Sequence, residues 1–491
     1  MPKQVIVIGS GVAGFSAASY LAQKGFEVTV LEKNSMAGGR AREFSANGFT
    51  YDMGPSWYWM PDVFEKFYND FGHTTSDFYN LVRLNPSYRV FDKNGQGVDI
   101  PANMQDLENL FEKYEPGSGL RLRKFLDEAA YKYKVGINDL VYKPSLSVTE
   151  FADSRLLYGL VKMDVFTSMK KHVRQFVNHP FLVELLEFPI LFLGAMPGNT
   201  PALYSLMNYA DMSLGTWYPM GGMHNIIRAF TKIAEKQGVN ILLDHEVTQI
   251  ESKNGKAGNV HCANGKVFNA DYIIGAGDYH HIEQKLLQPA DRTYNEAYWQ
   301  KRKMAPSSLL YYVGINKRLK NLQHHNLFFD TDFMRHAEEI YKTPQWPTAP
   351  LFYASVPSIT DNTVAPEGME NLFLLIPTAP GLTDTQEVKD KYFDMLMDRL
   401  EKHTGQSIRE HIVYKRAYAM SDFVSDYHAF KGNAYGLANT LTQTAILKPR
   451  IKSKKLSNLY FAGQLTVPGP GVPPSIISGN VVANLIEKEH V

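Results

Sequence analysis

The stretch VIVIGSGVAGFSAASYLAQKGFEVTVLEK, residues 5–33, places an apolar run, a glycine-rich turn, a periodic apolar segment and a second apolar run ending in an acid. This order predicts strand, turn, helix and parallel strand, the opening unit of a Rossmann-like α/β domain. Gly9, Gly11 and Gly14 occupy the three positions of G-x-G-x-x-G. The first permits the tight turn, the second a close approach of backbone to pyrophosphate, and the third close helix–strand packing. The helix beginning near Val12 and Ala13 then points its free N–H groups and positive dipole end at phosphates. Glu32, followed by Lys33, ends the second strand, where a carboxylate can accept ribose hydroxyls and would repel a 2′-phosphate.

The next residues separate flavin from nicotinamide. MAGGRAREF supplies Gly38, Gly39, Arg40 and Arg42, which can bring backbone and guanidinium groups to a diphosphate from the opposite side. YDMGPSWYWMP sets Gly54 and Pro55 among bulky aromatics, suiting a turn under a flat ring. GAGD (275–278) follows an apolar run without the spacing of a second dinucleotide motif. Near the far end, NLYFAGQLTVPGPGVPPSIISG has a strand closing on Gly463, a rigid Gly/Pro turn through Gly471, and a helix starting near Ser475. A helix N-terminus there can stabilise negative charge on a reduced flavin ring. The expected cofactor is FAD, enclosed by both ends of the chain.

At 491 residues the chain exceeds one compact core, so more than one domain is expected. FAD-binding segments are placed at 1–75, 216–285 and 426–491. A mixed α+β substrate domain is placed at 76–215, expected to be mainly helical, and at 286–425. The 51 basic and 50 acidic side chains nearly cancel, giving no field that selects nucleic acid. The single cysteine, Cys262, excludes an internal disulfide and fits a reducing compartment as a small buried residue. The start MPKQ has no signal-peptide pattern, and the most apolar run, Phe188–Met196, is far shorter than the roughly 20 residues of a spanning helix. A cytoplasmic protein without a transmembrane segment is expected. The adjacent pairs His280–His281 and His324–His325 lack metal-ligand spacing, so no metal is expected.

Taken together, these segments resemble the bacterial phytoene-desaturase family of FAD-dependent carotenoid desaturases. The landmarks run almost end to end and include TPALYSLMNYADMSLGTWYPMGGM (200–223), SVPSITDNTVAPEGMENLFLLIPTAP (355–380), YGLANTLTQTAILKP (435–449) and the terminal Gly/Pro block. Two departures border the inferred flavin site: Gln464–Leu465 replaces small residues, and Val467 stands where that family commonly has histidine. The resemblance implies an amine-oxidase-like architecture and cofactor contacts that also include Val247, Gly277, Gln464, Val472, Pro473 and Ser475.

It further implies an acyclic C40 polyene as substrate, oxidised by hydride transfer to flavin N5; the alternative is 3,4-desaturation of a hydroxylated or monocyclic carotenoid. A flavin amine oxidase and a non-catalytic prenyl-binding protein like the Rab GDP-dissociation inhibitors are the competing classes. Positioning of the C–H bond in a dry tunnel carries such chemistry, so no catalytic acid or base is assigned. Tunnel candidates are the aromatic and sulfur side chains Trp57, Tyr58, Trp59 and Met60, with Tyr204, Trp217, Tyr218 and Met220. The basic amphipathic stretch Arg155–Val177 suggests peripheral contact with a membrane surface. With no nicotinamide motif, oxygen or a quinone is the expected electron acceptor.

Overall fold

The computed structural model describes residues 2–151, 167–192, 194–440 and 442–490. Its opening unit is β1 (Gln4–Ile8), α1 (Val12–Gln23) and β2 (Glu27–Leu31). Three later strands join them: β3 (Asn240–Leu242), β4 (Tyr272–Gly275) and β5 (Leu459–Phe461). The five form one parallel sheet in the order β5-β4-β1-β2-β3, with Ile6 opposite both Ile273 and Thr29. Its residues come from three distant stretches of chain, and parallel pairing explains why: each added strand needs a crossover, and whole segments fill two of these.

Packing of α1 against the C-terminal helix α2 (Val472–His490) closes this layer. The approach is possible because residues at the crossing are small. A Cβ at Gly479 would stand 2.6 Å from Ala13 O, Ala17 N and Ser16 Cβ, and Ser16 Oγ donates to Ile476 O at 2.7 Å. The helix starts at Val472, three residues before the expected Ser475, because Pro473 and Pro474 lie in the first turn, where a missing N–H costs nothing.

A seven-stranded, mostly antiparallel sheet forms the second layer. Its order is Ile412–Tyr418, Ser307–Ile315, Glu370–Thr378, Phe352–Ser355, His325–Phe328, Tyr88–Phe91 and Gly97–Ile100. Leu309, Tyr311 and Val313 bury one face with Leu372 and Leu374 against the helix Gln386–Thr404. Leu310, Tyr312, Phe373 and Leu375 bury the other face in the main core. A third, antiparallel sheet is formed by Val247–Lys253, Lys256–Cys262 and Val267–Asn269, with Cys262 buried.

The segment expected to be mainly helical begins with three strands, Leu81–Arg83, Tyr88–Phe91 and Gly97–Ile100. Their partners explain the difference. Leu81–Arg83 pairs with Trp217–Pro219, and Tyr88–Phe91, already paired with Gly97–Ile100, joins His325–Phe328 in parallel, so distant strands anchor both. The helices Met104–Tyr114 and Ser118–Val135 follow. In the basic stretch 155–177, residues up to 166 lie outside the described residues. Met169–Val173 is helical, with Met169, His172 and Val173 buried and Lys170 and Lys171 exposed. Among the described residues no helix is long and apolar enough to cross a membrane.

Candidate active site: one cavity closed by both chain ends

A cavity of about 780 Å³ lies between the parallel sheet and the seven-stranded sheet. Gly9, Gly11, Val12 and Ala13 line it from the first motif, and Gly463, Gln464, Gly471, Val472, Pro473 and Ser475 from the far end. Glu32, Lys33, Gly38, Gly39, Arg40, Gly54, Pro55, Val247 and Gly277 complete the cofactor positions that it brings together.

Two of the predicted positions stand behind the wall. Gly14 packs on the turn: a Cβ there would lie 2.0 Å from Gly9 O. Arg42 turns away, donating from Nη2 to Asp426 Oδ2 at 2.6 Å. It therefore braces the site, its guanidinium held by a carboxylate that itself lines the cavity.

The turn is built for a diphosphate. Gly9 has φ +105°, and a Cβ on Gly11 would meet nothing within 4 Å, leaving its face open. Gly11 caps α1 without any side-chain hydrogen bond, so the first N–H groups of the helix remain available to an anion. Gly39, at φ +55°, sits with its Cβ position 3.3 Å from Gly11 Cα, bringing the Gly38–Arg40 segment over the turn.

Arg40 Nη2 donates to Asn433 O at 3.2 Å, whereas its Nε has no partner among the described residues. Burial pulls the Arg40 pKa down, and Asp278 partly opposes this. These free donors and the unfilled glycine faces fit the diphosphate of FAD.

Glu32 first serves to hold the turn. Its Oε2 accepts Ser10 N and Oγ at 2.9 and 2.7 Å, and Oε1 accepts Asn34 N and Nδ2, both at 2.9 Å. A ribose hydroxyl would reach this carboxylate only by displacing the Ser10 hydroxyl or the Asn34 amide.

Beside it lies a group of residues with no signal in the sequence. Phe423, Asp426, Tyr427 and His428 line the cavity from the helix Met420–Tyr427 and its left-handed cap, His428. Arg40 and Arg42 lie 5.0 and 5.2 Å from the Tyr427 ring centroid. Lys33 Nζ donates to Ser425 O at 2.6 Å, and His428 Nε2 lies 2.8 Å from Glu246 Oε1. His281 stacks on His428 at 3.9 Å, and burial, reinforced by the facing His428, lowers its pKa to about 3.

These contacts clasp the cofactor end of the cavity. Asp426→Ala removes the carboxylate partner of Arg42 and leaves it the hydrogen bonds to Gly39 O and Tyr427 OH; bound FAD is expected to dissociate about tenfold faster, as for loss of a charge-assisted hydrogen bond. Fluorescence of released FAD measures this; an unchanged rate would remove the clasp from the account.

The tunnel candidates divide by backbone alternation. Trp57 and Trp59 face the cavity with Met60 and Tyr204, while Tyr58 between them points the other way. Trp57 stacks on His325 at 4.2 Å, and Trp59 Nε1 donates to Thr216 Oγ1 at 2.9 Å. Tyr58 is buried on Phe64, its hydroxyl 3.0 Å from that of Tyr79.

Trp217, Tyr218 and Met220 do not reach the cavity and are corrected to scaffold. Trp217 Nε1 donates to Leu214 O at 2.9 Å and Tyr218 OH to Asp361 Oδ2 at 3.2 Å, while the Met220 N–H is held by Asn80 O. Strand pairing with Leu81–Arg83 turns this segment into the core.

The wall that composition did not reveal is the second sheet: Ser308, Leu310, Tyr353, Phe373 and Leu375 line the cavity. Leu310 and Tyr353 both stand in register with Leu375. Ile137, Leu140, Val141, Leu203, Leu206 and Met207 face it from helical segments. This part of the cavity is apolar, whereas Glu32, Glu246, Asp278 and Asp426 are grouped near the glycine turn and clasp. The histidine pairs are occupied structurally: His280 Nε2 lies 2.8 Å from Glu296 Oε2 and His325 Nδ1 2.6 Å from Tyr353 OH. Among the described residues no His/Cys/Asp/Glu group could hold a metal.

A profile of flavin-containing amine oxidoreductases matches residues 12–486. The chain is 39% identical over 485 residues to a carotenoid 3,4-desaturase of Haloarcula japonica, covering 99% of this chain and 98% of that one. It is 29% identical to a zeta-carotene-forming phytoene desaturase of Myxococcus xanthus, with 98% and 93% covered. Among solved structures, an oxidoreductase of Methanosarcina mazei superposes with TM-score 0.62 at 17% identity, over 99% of this chain and 100% of that one, a likeness of fold.

Proposed function

We propose a specific reaction for this chain, which belongs to the flavin-containing amine oxidoreductase family and, within it, to the carotenoid desaturases. It is an FAD-dependent oxidoreductase. The reading is 3,4-desaturation of a long carotenoid: one CH2–CH2 unit beside the conjugated segment loses two hydrogens and becomes CH=CH. Near-complete alignment at 39% identity with a carotenoid 3,4-desaturase carries this choice over a phytoene substrate.

Bound FAD supplies the two-electron acceptor that takes the hydride. The Gly9–Gly14 turn, Glu32 and Gly38–Arg40 would hold it, with the α2 N-terminus adding positive potential. Leu310, Phe373, Leu375, Trp57 and Trp59 orient the polyene and keep water from it. The carbon next to a delocalised allylic cation is acidic, so its proton leaves without a strong base, in keeping with an apolar wall that holds no carboxylate among the described residues.

The same reading places the protein at a membrane surface, where such a substrate dissolves, and passes the electrons to oxygen or a quinone. Liposomes loaded with phytoene, lycopene or a 1-hydroxylated carotene, incubated with the FAD-loaded protein, test the choice. The expected product has lost two hydrogens and absorbs at longer wavelength, from a substrate other than phytoene. Turnover of phytoene alone would overturn 3,4-desaturation.

A further inference from the structure

The Val467–Gly471 turn leading into α2 forms part of the cavity wall, and a lone cation is buried behind it. Lys448 is 3% exposed, and its Nζ donates to Pro468 O at 2.9 Å. No carboxylate pairs with it among the described residues; burial alone acts on the amine and lowers its pKa to about 7.

The turn closes on this nitrogen through a residue without a side chain. A Cβ on Gly469 would stand 2.4 Å from Nζ and 3.3 Å from Asn439 Oδ1. Asn439 lines the cavity, is 4% exposed, and its Oδ1 accepts no hydrogen bond among the described residues. Pro468, Gly469 and Asn439 thus face the amine, and none of them titrates.

A buried cation without a counter-ion is costly, and one carbonyl contact does not offset that cost. The site it adjoins, however, gains negative charge in every catalytic cycle. We propose that Lys448 is the charge-balancing residue for cofactor reduction: it takes up a proton when the electron pair arrives, and its ammonium, held behind the Pro468–Gly469 peptide beside Asn439, favours the reduced state.

The balance is simple. The substrate gives a hydride to the cofactor and releases a proton from the neighbouring carbon, leaving the site one negative charge richer. The neutral amine of Lys448 binds one proton, forming one N–H bond, and neutrality returns; reoxidation by the acceptor releases that proton. Lys448 acts on the same side as the α2 N-terminus, adding a full charge to its partial one.

This inference rests on FAD binding but not on the choice of carotenoid, so its test uses none. Wild-type, Lys448→Met and Lys448→Arg holoproteins are reduced anaerobically by light with a deazaflavin, against reference dyes, from pH 6 to pH 8. At pH 6, Lys448→Met is expected to destabilise the reduced cofactor about 100-fold, a potential lower by ~60 mV for a two-electron couple. Lys448→Arg, permanently charged, is expected to keep the wild-type potential at pH 6. At pH 8, wild type should take up about one proton more on reduction than either variant, since its amine is then mostly neutral beforehand.

A Lys448→Met holoprotein with the wild-type potential and proton count would overturn the proposal. Should that variant fail to retain FAD, Lys448→Arg decides alone: a proton count equal to wild type at pH 8 overturns it, and a count lower by about one supports it.

Discussion

Gly14→Ala is expected to give a protein that no longer retains FAD, with affinity lower by at least about 100-fold, or about 2.7 kcal/mol. The reason is a backbone contact that cannot be relieved by a rotamer. The new Cβ would lie 2.0 Å from Gly9 O and 3.2 Å from Gly9 C, so α1 must move away from the turn it is meant to support. Ala276 Cβ, 3.3 Å away, crowds the same position. The N–H groups of α1 would then miss the diphosphate even though Gly11 is intact. Titration with FAD, followed by quenching of its fluorescence, measures the loss. Wild-type affinity in a folded Gly14→Ala protein would show that the turn is not where the dinucleotide binds.

Gly479→Leu should do comparable damage from the other end of the chain. The side chain would enter a crossing where three atoms of α1 already lie at 2.6 Å from its first carbon. Overpacking of this kind costs about 3 kcal/mol at the upper end of its usual range. Separation of α1 from α2 also draws the two N-termini apart, so weaker FAD binding should accompany a lower thermal midpoint. A variant melting like wild type, with or without FAD, would contradict the close crossing of these helices.

The sequence carried the parallel sheet clearly because each of its parts has a local signal. The glycine spacing, the acid ending β2 and the apolar strands before Gly277 and Gly463 all act over a few residues. The substrate-side sheet has no such signal. Ser307–Ile315 and Glu370–Thr378 are buried on both faces, so the two-residue polarity alternation that would mark Leu310 and Leu375 as lining residues is erased.

The clasp was hidden for another reason. Arg42–Asp426 and His428–Glu246 join positions 384 and 182 residues apart, and a charged residue on a short helix reads as solvated surface until the partner is in place. Trp217 and Tyr218 were misplaced because aromatic content marks a core and a ligand tunnel alike. Only the pairing of Trp217–Pro219 with Leu81–Arg83 tells them apart. Lys448 did leave a trace, as a single lysine after the apolar run AIL, but nothing local shows that it turns inward.

What unites these features in the proposed reading is a cavity in which the two ends of the chain would hold a flavin and the second sheet would lay a polyene beside it. The most direct test is one anaerobic turnover: FAD-loaded protein is mixed with excess carotenoid substrate in liposomes, and the visible flavin band and the product are measured together. One flavin should bleach for each double bond formed, and admission of oxygen or a quinone should restore the band. Formation of the double bond with the flavin band unchanged, or bleaching without any altered carotenoid, would contradict the account.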